Sequence, residues 1–385
     1  VAIAAAVGLG AAGTWWFTRS PKPTPASVPL TRLTSDSGLT FQPALSPDGQ
    51  LLAYASDRSG DGNLDIWVQQ VGGGQPIRLT RDPADEHAPA FSPDGRSIAF
   101  RSERAGGGIY VVPALGGDPR LIAERGRRPR FSPDGNEIAY FVGDSFFYAQ
   151  TYIAASTGGQ PRPFQGDFTV ASHPVWSPDG KRLLFYGRRE RPSAISDWWV
   201  APLNGGPAVQ TGVVAALGKR GLRGTPEVWR RDGNFVLFSA QTGDARNIWR
   251  IPISPDTGKV AGEPERVTSG AGREDFPSLA AGHRMAFSSL NSQVDVWALP
   301  VDADSGKVTG DLHRLTNDVA ADTRPSISHD GKKLVFLSDR SGNNDVWLKN
   351  LETGKETALT ATTAPEIRVR ISGDGSQVVY NQAVP

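Results

Sequence analysis

A four-residue turn sequence, Ser-Pro-Asp-Gly, recurs along this chain and constrains its fold more than any other feature. Successive copies lie 40 to 53 residues apart, which is the range in which the blades of β-propellers repeat. In each copy Pro presets φ at the second turn position and Gly adopts the left-handed conformation, so every copy is expected to form a tight turn. Intact copies begin at Ser46, Ser92, Ser132 and Ser177, and degraded copies follow at Arg231, Ala281, Ser328 and Ser372.

The residues around each turn alternate as short strands do. An apolar segment follows the turn, as at residues 98–100 and 334–336, and then come an aromatic-bearing strand, a glycine-containing turn and a short final strand. Four antiparallel strands cannot bury both of their faces alone, whereas blades stacked around an axis can. The sequence therefore predicts an all-β fold, a β-propeller of about eight four-stranded blades, with seven complete and the last incomplete. Residues 32–34 resemble a fourth strand, and we expect them to join the first and last blades.

The amino-terminal segment has a different composition. Residues 2–17 are uncharged and mostly apolar, and as a helix they would span roughly 24 Å. Trp15 and Trp16 followed by Arg19 are typical of a membrane interface. We therefore predict the carboxyl-terminal part of a transmembrane helix at residues 1–19, a Pro-rich linker at 20–29 and the propeller at 30–385. The alternative for the apolar segment is a signal peptide.

Charge and residue usage exclude several function classes. Lys plus Arg (41) nearly equals Asp plus Glu (40), so no bulk field attracts nucleic acid. The chain has no Cys, and its five histidines are distributed along the chain with no spacing typical of zinc ligands. A Gly-x-Ser-x-Gly elbow, a phosphate-binding loop and a kinase Gly-rich loop are missing from the sequence. We therefore expect no catalytic residue, cofactor or metal in this chain.

One face of the predicted propeller carries most of the loop charges. The loops between second and third strands, and those that lead to the next blade, emerge on the same side. Because binding residues tend to lie on loops held by a rigid scaffold, we expect a protein or small-molecule ligand to dock there. The alternative is a solvated rim with no ligand. The candidate binding residues are Arg58, Arg104, Asp85, His87, Arg273, Asp275 and Arg324.

A set of basic residues in consecutive repeats offers a second candidate. If they align on neighbouring blades, they would form a patch for anions or lipid headgroups. The alternative is scattered surface charge. The residues concerned are Arg125, Arg127, Arg128, Arg130, Arg188, Arg189, Arg191, Lys219, Arg220 and Arg223.

The repeat resembles the PD40, or TolB-type, WD40-like propeller family. The resemblance covers residues 30–385 and rests on the Pro-Asp pairs of the turns and on the Asp-Ile-Trp element at residues 65–67. A membrane helix, a spacer and such a propeller together are similar to bacterial receptor-type serine/threonine kinases and winged-helix regulators, whose cytoplasmic effector precedes the helix.

The resemblance implies a non-catalytic sensor or protein-interaction propeller, anchored in the bacterial inner membrane and exposed to the periplasm. Prolyl-oligopeptidase-like peptidases carry a similar propeller. The alternative is therefore a gating propeller whose serine peptidase domain lies beyond Pro385.

Overall fold

The computed structural model describes residues 30–36, 38–144, 147–189, 196–242, 245–270, 272–290, 294–317, 320–341, 343–362 and 364–382. The chain divides into two compact units, Val1–Ser35 and Asp36–Pro385. The predicted membrane helix at residues 1–19 and the linker at 20–29 lie outside the described residues. Among the residues that are described, no helix is long and apolar enough to cross a membrane. Residues 30–35 of the first unit form neither helix nor strand, so the predicted fourth strand at 32–34 is not formed.

The second unit consists mainly of antiparallel strands. Its described residues also contain one short α-helix, α1 (Val213–Gly218), and two short 3-10 helices, Arg104–Gly106 and Ala281–His283. Repeats one to three contain β1 (Thr40–Leu45), β2 (Leu51–Ser56), β3 (Asp65–Gln70), β4 (Ile77–Arg78), β5 (Glu86–Phe91), β6 (Ser97–Ser102), β7 (Gly108–Pro113), β8 (Arg120–Glu124), β9 (Arg127–Phe131), β10 (Glu137–Asp144), β11 (Tyr148–Ala155) and β12 (Arg162–Phe164). Repeats four to six contain β13 (Phe168–Trp176), β14 (Arg182–Arg189), β15 (Ser196–Pro202), β16 (Val209–Gln210), β17 (Val228–Trp229), β18 (Phe235–Thr242), β19 (Ala245–Pro252), β20 (Glu265–Arg266), β21 (Arg273–Leu279), β22 (Met285–Leu290), β23 (Trp297–Ala298) and β24 (His313–Arg314). The last two repeats contain β25 (Asp322–Ile327), β26 (Lys333–Ser338), β27 (Asp345–Asn350), β28 (Glu356–Ala358), β29 (Glu366–Ile371) and β30 (Val378–Gln382).

The Ser-Pro-Asp-Gly turns are stabilised by their own side chains. In the first repeat the hydroxyl of Ser46 donates to Asp48 Oδ1 at 2.5 Å and accepts from the amide of Leu51 at 2.9 Å. The amide of Gln50 donates to the same carboxylate at 3.0 Å. Gly49 has φ +71°, which only Gly adopts without strain. The same pattern of bonds recurs in the second repeat, so the turn that defines the repeat is structural.

Large apolar side chains fill the space between blades. Trp198 and Phe238, from the fourth and fifth repeats, are fully buried and meet edge to face with ring centroids 5.5 Å apart. The short helix α1 adds Val213 and Leu217 to the same cluster. Burying each such side chain stabilises the fold by about 1.5–3 kcal/mol. Aromatic side chains of the fourth and fifth repeats therefore pack blade against blade.

The inner strands of the first six repeats form a closed ring. The strands β1, β5, β9, β13, β17 and β21 contact one another in this order, and β1 also contacts β21 and β22. The amides of Gln42 and Leu45 on β1 donate to the hydroxyls of Ser288 and Ser278, each at 2.9 Å. The ring thus closes after the sixth repeat, because serines of that repeat accept hydrogen bonds from the first. The eight-bladed ring predicted from the repeat count is not confirmed.

The residues after β22 form a second stack of sheets. The strands β23 and β24 pair only with each other, and Val296 beside them packs on Leu334 and Phe336 of the seventh repeat. Val369 of the eighth repeat packs on the other side of the seventh. In the described part of the chain β22 pairs with β21 alone, and Trp297 is 51% exposed. The sixth blade is therefore divided between the ring and the stack.

Candidate functional site

Arg104, one of the predicted binding residues, is engaged within its own blade. Its guanidinium lies over the ring of Tyr110, 4.6 Å from the centroid, and forms an ion pair with the buried carboxylate of Glu86. Its Nε donates to the hydroxyl of Ser102 at 2.8 Å. These contacts tie the second strand of the blade to the first and third strands.

Arg58 occupies the equivalent position in the first repeat. Its guanidinium lies over the Trp67 ring at 5.0 Å and pairs with Asp36 at 3.0 Å. In the seventh repeat Arg340 lies 4.4 Å over Trp347. The Ser-x-Arg element of the sequence thus produces a repeated brace in which an arginine joins an aromatic face and a carboxylate.

Asp85 and His87 lie where the first blade leads into the second. Asp85 Oδ1 accepts a hydrogen bond from the amide of Leu64 at 2.8 Å, and the Asp85 carbonyl accepts one from the amide of Glu103 at 2.9 Å. His87 contacts the Phe41 ring edge to face at 6.1 Å. Burial lowers the pKa of His87, so its imidazole is predominantly neutral at pH 7.

The remaining predicted residues are dispersed. Asp275 is 1% exposed and accepts hydrogen bonds from Arg246 and from Arg273, the latter at 2.5 Å. Arg324 is exposed on β25, in the stack that follows the ring. The structure therefore does not gather the seven residues at one site, and their role in binding stays a prediction.

A bulge recurs at one position of the first strands of the repeats. In six of the eight repeats the residue four positions before the turn serine, or before the residue equivalent to it, has a positive φ, and the register of the strand pair shifts there. Such a bulge re-aims the side chain that it carries. The residues at this position are Gln42, Ala88, Arg128, His173, Phe276 and, in the stack, Arg324.

Arg128 extends across the centre of the ring. Its guanidinium carbon lies 5.2 Å from the centroid of Phe276, although the two residues belong to the third and sixth repeats, on opposite sides of six inner strands. Phe276 also meets Phe41 of the first repeat at 6.1 Å. Residues from opposite blades thus meet at the axis. Arg130, His173, Glu227 and Asp275 are linked to Arg128 by electrostatic interaction, and we call these five residues the axial cluster.

Glu227 is the member of the axial cluster whose ionised carboxylate is most disfavoured by burial. It lies immediately before β17 and is 5% exposed. Burial raises the pKa of Glu227 to about 7, although the positive charge of Arg128 opposes this. The charge of Asp275 raises the same pKa further, whereas the hydroxyl of Ser239, which donates at 3.1 Å, lowers it. Glu227 therefore exchanges its proton near neutral pH.

The basic members also respond to burial. Burial lowers the pKa of Arg130 to about 10, and the like charge of Arg128 adds to the effect. Burial likewise places the pKa of His173 well below its usual value, and the ring stacks on Phe141 at 5.1 Å between centroids. At neutral pH the cluster therefore holds two cationic arginines beside a neutral imidazole and a carboxyl that is partly protonated.

Arg128 and Arg130 differ from Arg58 and Arg104 in that their guanidinium groups form no direct ion pair within the described residues. Within the described residues neither guanidinium forms an ion pair or donates a hydrogen bond, and the ring face of Phe276 is the contact that Arg128 makes. Both side chains keep some accessible surface, although the surrounding protein is dense enough to lower each pKa. The charges of Glu227 and Asp275 act on Arg128 without contacting it directly. Two like charges buried without a directly bonded anion are costly, so their position indicates a role other than stability.

The sequence already indicated Arg128 and Arg130 as part of a basic patch, and it also contains a signal for Glu227, which was not predicted. Three residues before the turn serine, the other repeats of the ring have Pro, whereas the fifth repeat has Glu227 at the matching position. Two residues before the turn serine, the third repeat has Arg130, whereas the first, second and fourth repeats have Ala44, Ala90 and Val175. A charged residue at an otherwise apolar repeat position marks a departure from packing.

The predicted basic patch is not formed as one surface. Arg128 and Arg130 face the axis, whereas Arg189 pairs with Asp167 at 2.9 Å and Arg220 with Glu263 at 3.7 Å. Arg191 lies outside the described residues. In the described ranges, no group of three or more His, Asp and Glu side chains is placed to hold a metal ion.

Comparison with known proteins agrees with the repeat. Residues 26–145 match the TolB beta propeller domain, PD40. The PD40 resemblance seen in the sequence is thereby confirmed for this part of the chain. An uncharacterized protein of Agrobacterium fabrum is 28% identical over 166 residues, which cover 42% of this chain and 50% of that protein.

Two further proteins are similar to parts of this chain. The uncharacterized peptidase YuxL of Bacillus subtilis is 38% identical over 61 residues, or 16% of this chain and 9% of the peptidase. The matches thus span half or less of the relatives' own length. The crystal structure of TolB from Acinetobacter baumannii aligns over 84% of this chain and 63% of its own, with 15% identity and a TM-score of 0.41.

Proposed function

We propose that this chain is a non-catalytic binding propeller that serves a membrane-anchored bacterial signalling protein as its extracytoplasmic sensor or docking module. The observation that supports a binding role is the axial cluster, where in the described residues Arg128 and Arg130 form no direct ion pair or hydrogen bond. Arg58 and Arg104, by contrast, form ion pairs with Asp36 and Glu86. The charge at the axis is therefore available to a partner.

The membrane-anchored context rests on the sequence. The apolar residues 2–17 and the Pro-rich residues 21–29 fit an anchor and a spacer that hold the propeller away from a bilayer. The effector would be a serine/threonine kinase or a transcriptional regulator on the cytoplasmic side of the inner membrane. The propeller would then face the periplasm.

Protease protection in sealed vesicles tests this proposal. We expect the propeller of the full chain to be cut in right-side-out vesicles and protected in inverted ones. Detergent-permeabilised vesicles of both kinds serve as the control for intrinsic susceptibility. Cleavage only in inverted vesicles would reject the extracytoplasmic role.

A second candidate is the gating propeller of a serine peptidase, favoured by the local identity with the peptidase YuxL. A nucleophile elbow, Gly-x-Ser-x-Gly, encoded downstream of Pro385 would support it. Labelling of the full-length protein by a fluorophosphonate probe would then be expected. No labelling of a folded full-length protein would reject this candidate.

A further inference from the structure

The axial cluster has the composition of an oxyanion site. The planar fork of an arginine matches the two oxygens of a carboxylate or a phosphate, and such bonds are among the strongest that side chains make. Arg128 and Arg130 come from alternate positions of the same strand, β9, and the charge of Arg128 lowers the pKa of Arg130. One anion placed between them would relieve their mutual repulsion.

The rest of the cluster is compatible with an anion at this position. Asp275 is already engaged by Arg246 and Arg273. His173 is buried with its Nδ1 3.0 Å from the Ser172 hydroxyl, and the nearby charges are those of Arg128 and Arg130. The charged groups that act on Glu227 are Arg128, Arg130 and Asp275. Glu227 is thus the group whose ionisation would oppose a bound anion most directly.

We propose that the ring centre binds the carboxylate or phosphate group of a ligand between Arg128 and Arg130, and that Glu227 must take up a proton for tight binding. This inference rests on the binding role proposed above and names the chemistry of the ligand. A protonated Glu227 can donate a hydrogen bond to an oxyanion, whereas an ionised one repels it. The affinity is therefore expected to fall as the pH rises through 7.

The repeats themselves supply variants that are expected to fold. Arg130→Ala installs the residue of Ala44 and Ala90, and Arg128→Gln installs that of Gln42, which has the same positive φ. Each substitution removes one guanidinium that forms no ion pair, and the new residue already occurs at the same position of another repeat. Arg96→Gln, at an exposed turn, makes the same change of charge away from the axis and serves as the matched control.

The test measures calorimetric binding and the thermal unfolding midpoint of the full chain with inorganic phosphate or acetate, at constant ionic strength set by chloride. At pH 6 we expect either anion to raise the midpoint of the wild type and of Arg96→Gln. Arg128→Gln and Arg130→Ala should bind at least about tenfold more weakly. Without the anion, Arg130→Ala should unfold at the same or a higher temperature than the wild type. A response to acetate alone assigns a carboxylate, and one to phosphate alone assigns a phosphate.

Raising the pH to 8 should weaken binding in the wild type but not in Glu227→Gln. The proposal is overturned if neither anion changes the wild-type midpoint, or if the axial variants respond as the wild type does. In that event the topology experiment still decides the sensor role by itself, so the two failures are distinguishable.

Discussion

Replacing Glu227 with Gln is expected to remove a fall in stability between about pH 4.5 and 7. The carboxyl has a pKa of about 7 in the folded protein, against an ordinary value of 4.5, chiefly because it is buried. Each pKa unit corresponds to about 1.4 kcal/mol of difference between the two protonation states. The folded protein should therefore lose about 3 kcal/mol relative to the unfolded chain as Glu227 ionises.

The sign follows from which state holds the proton. Below pH 4.5 Glu227 is protonated in both states, and between 4.5 and 7 the folded protein keeps a proton that the unfolded chain has lost. The stability contributed by this group is thus complete at low pH and is lost as the pH rises through 7. His173 acts in the opposite direction, because burial lowers its pKa and its contribution is lost as the pH falls below 6.5.

Comparison of two proteins separates these contributions. Urea unfolding of the wild type and of Glu227→Gln should give nearly equal free energies at pH 4.5. At pH 8 the variant should be more stable by about 3 kcal/mol, since Gln resembles the neutral carboxyl. His173 contributes equally to both proteins and cancels in the difference. A difference that does not change between pH 4.5 and 8 would refute the buried, protonated state of Glu227.

Three other predictions concern the scaffold and are measured by unfolding or cross-linking. Arg104→Met should lower the free energy of urea unfolding by about 2 kcal/mol, because buried Glu86 loses its cation, and Glu86→Gln in the same chain should restore most of this loss. Ser46→Ala should cost about 1 kcal/mol, since the amide of Leu51 loses its acceptor, and an unchanged thermal midpoint would contradict this. Cysteines in place of Gln42 and Ser288 should be joined by a short thiol cross-linker, because the ring closes between them.

The strands and turns were predictable because their chemistry is local. Pro-Asp-Gly sets the turn within four residues, and the alternation of apolar residues sets the strands beside it. The interpretation of the third-strand aromatic as packing between blades holds for Trp249, which lies in a cluster with Leu184 and Trp198 of the preceding repeat. The axial cluster was not predictable in this way. It combines Arg130 and Glu227 from different repeats, and their proximity depends on where the ring closes.

Ring closure is a competition between similar strands for the same acceptor. On β21, Ser278 accepts the amide of Leu45 from the first repeat at 2.9 Å. The equivalent serine of the seventh repeat, Ser326, accepts the amide of Ile371 from the eighth repeat at 3.2 Å. In a larger ring, the place that Leu45 takes would belong to the inner strand of the seventh repeat. The sequence is compatible with a ring that closes after the sixth repeat and with a larger ring, and the number of repeats alone does not decide between the two.

Cross-linking at β22, the second strand of the sixth blade, can show whether β22 lies beside β23 or the ring closes on the first repeat. Ala286 on β22 and Ala298 on β23 occupy the repeat positions of Ala53 and Val68, which are register partners in the first blade. The chain has no Cys, so pairs of introduced cysteines report on one contact at a time. Cysteines at 53 and 68 should be joined by the cross-linker, and those at 286 and 298 should not, because β23 packs with the seventh repeat instead. If the 286 and 298 pair were joined while the pair at 42 and 288 was not, the first repeat would have been displaced from β21. The axial cluster would then surround a wider opening, and Arg128 could no longer reach Phe276.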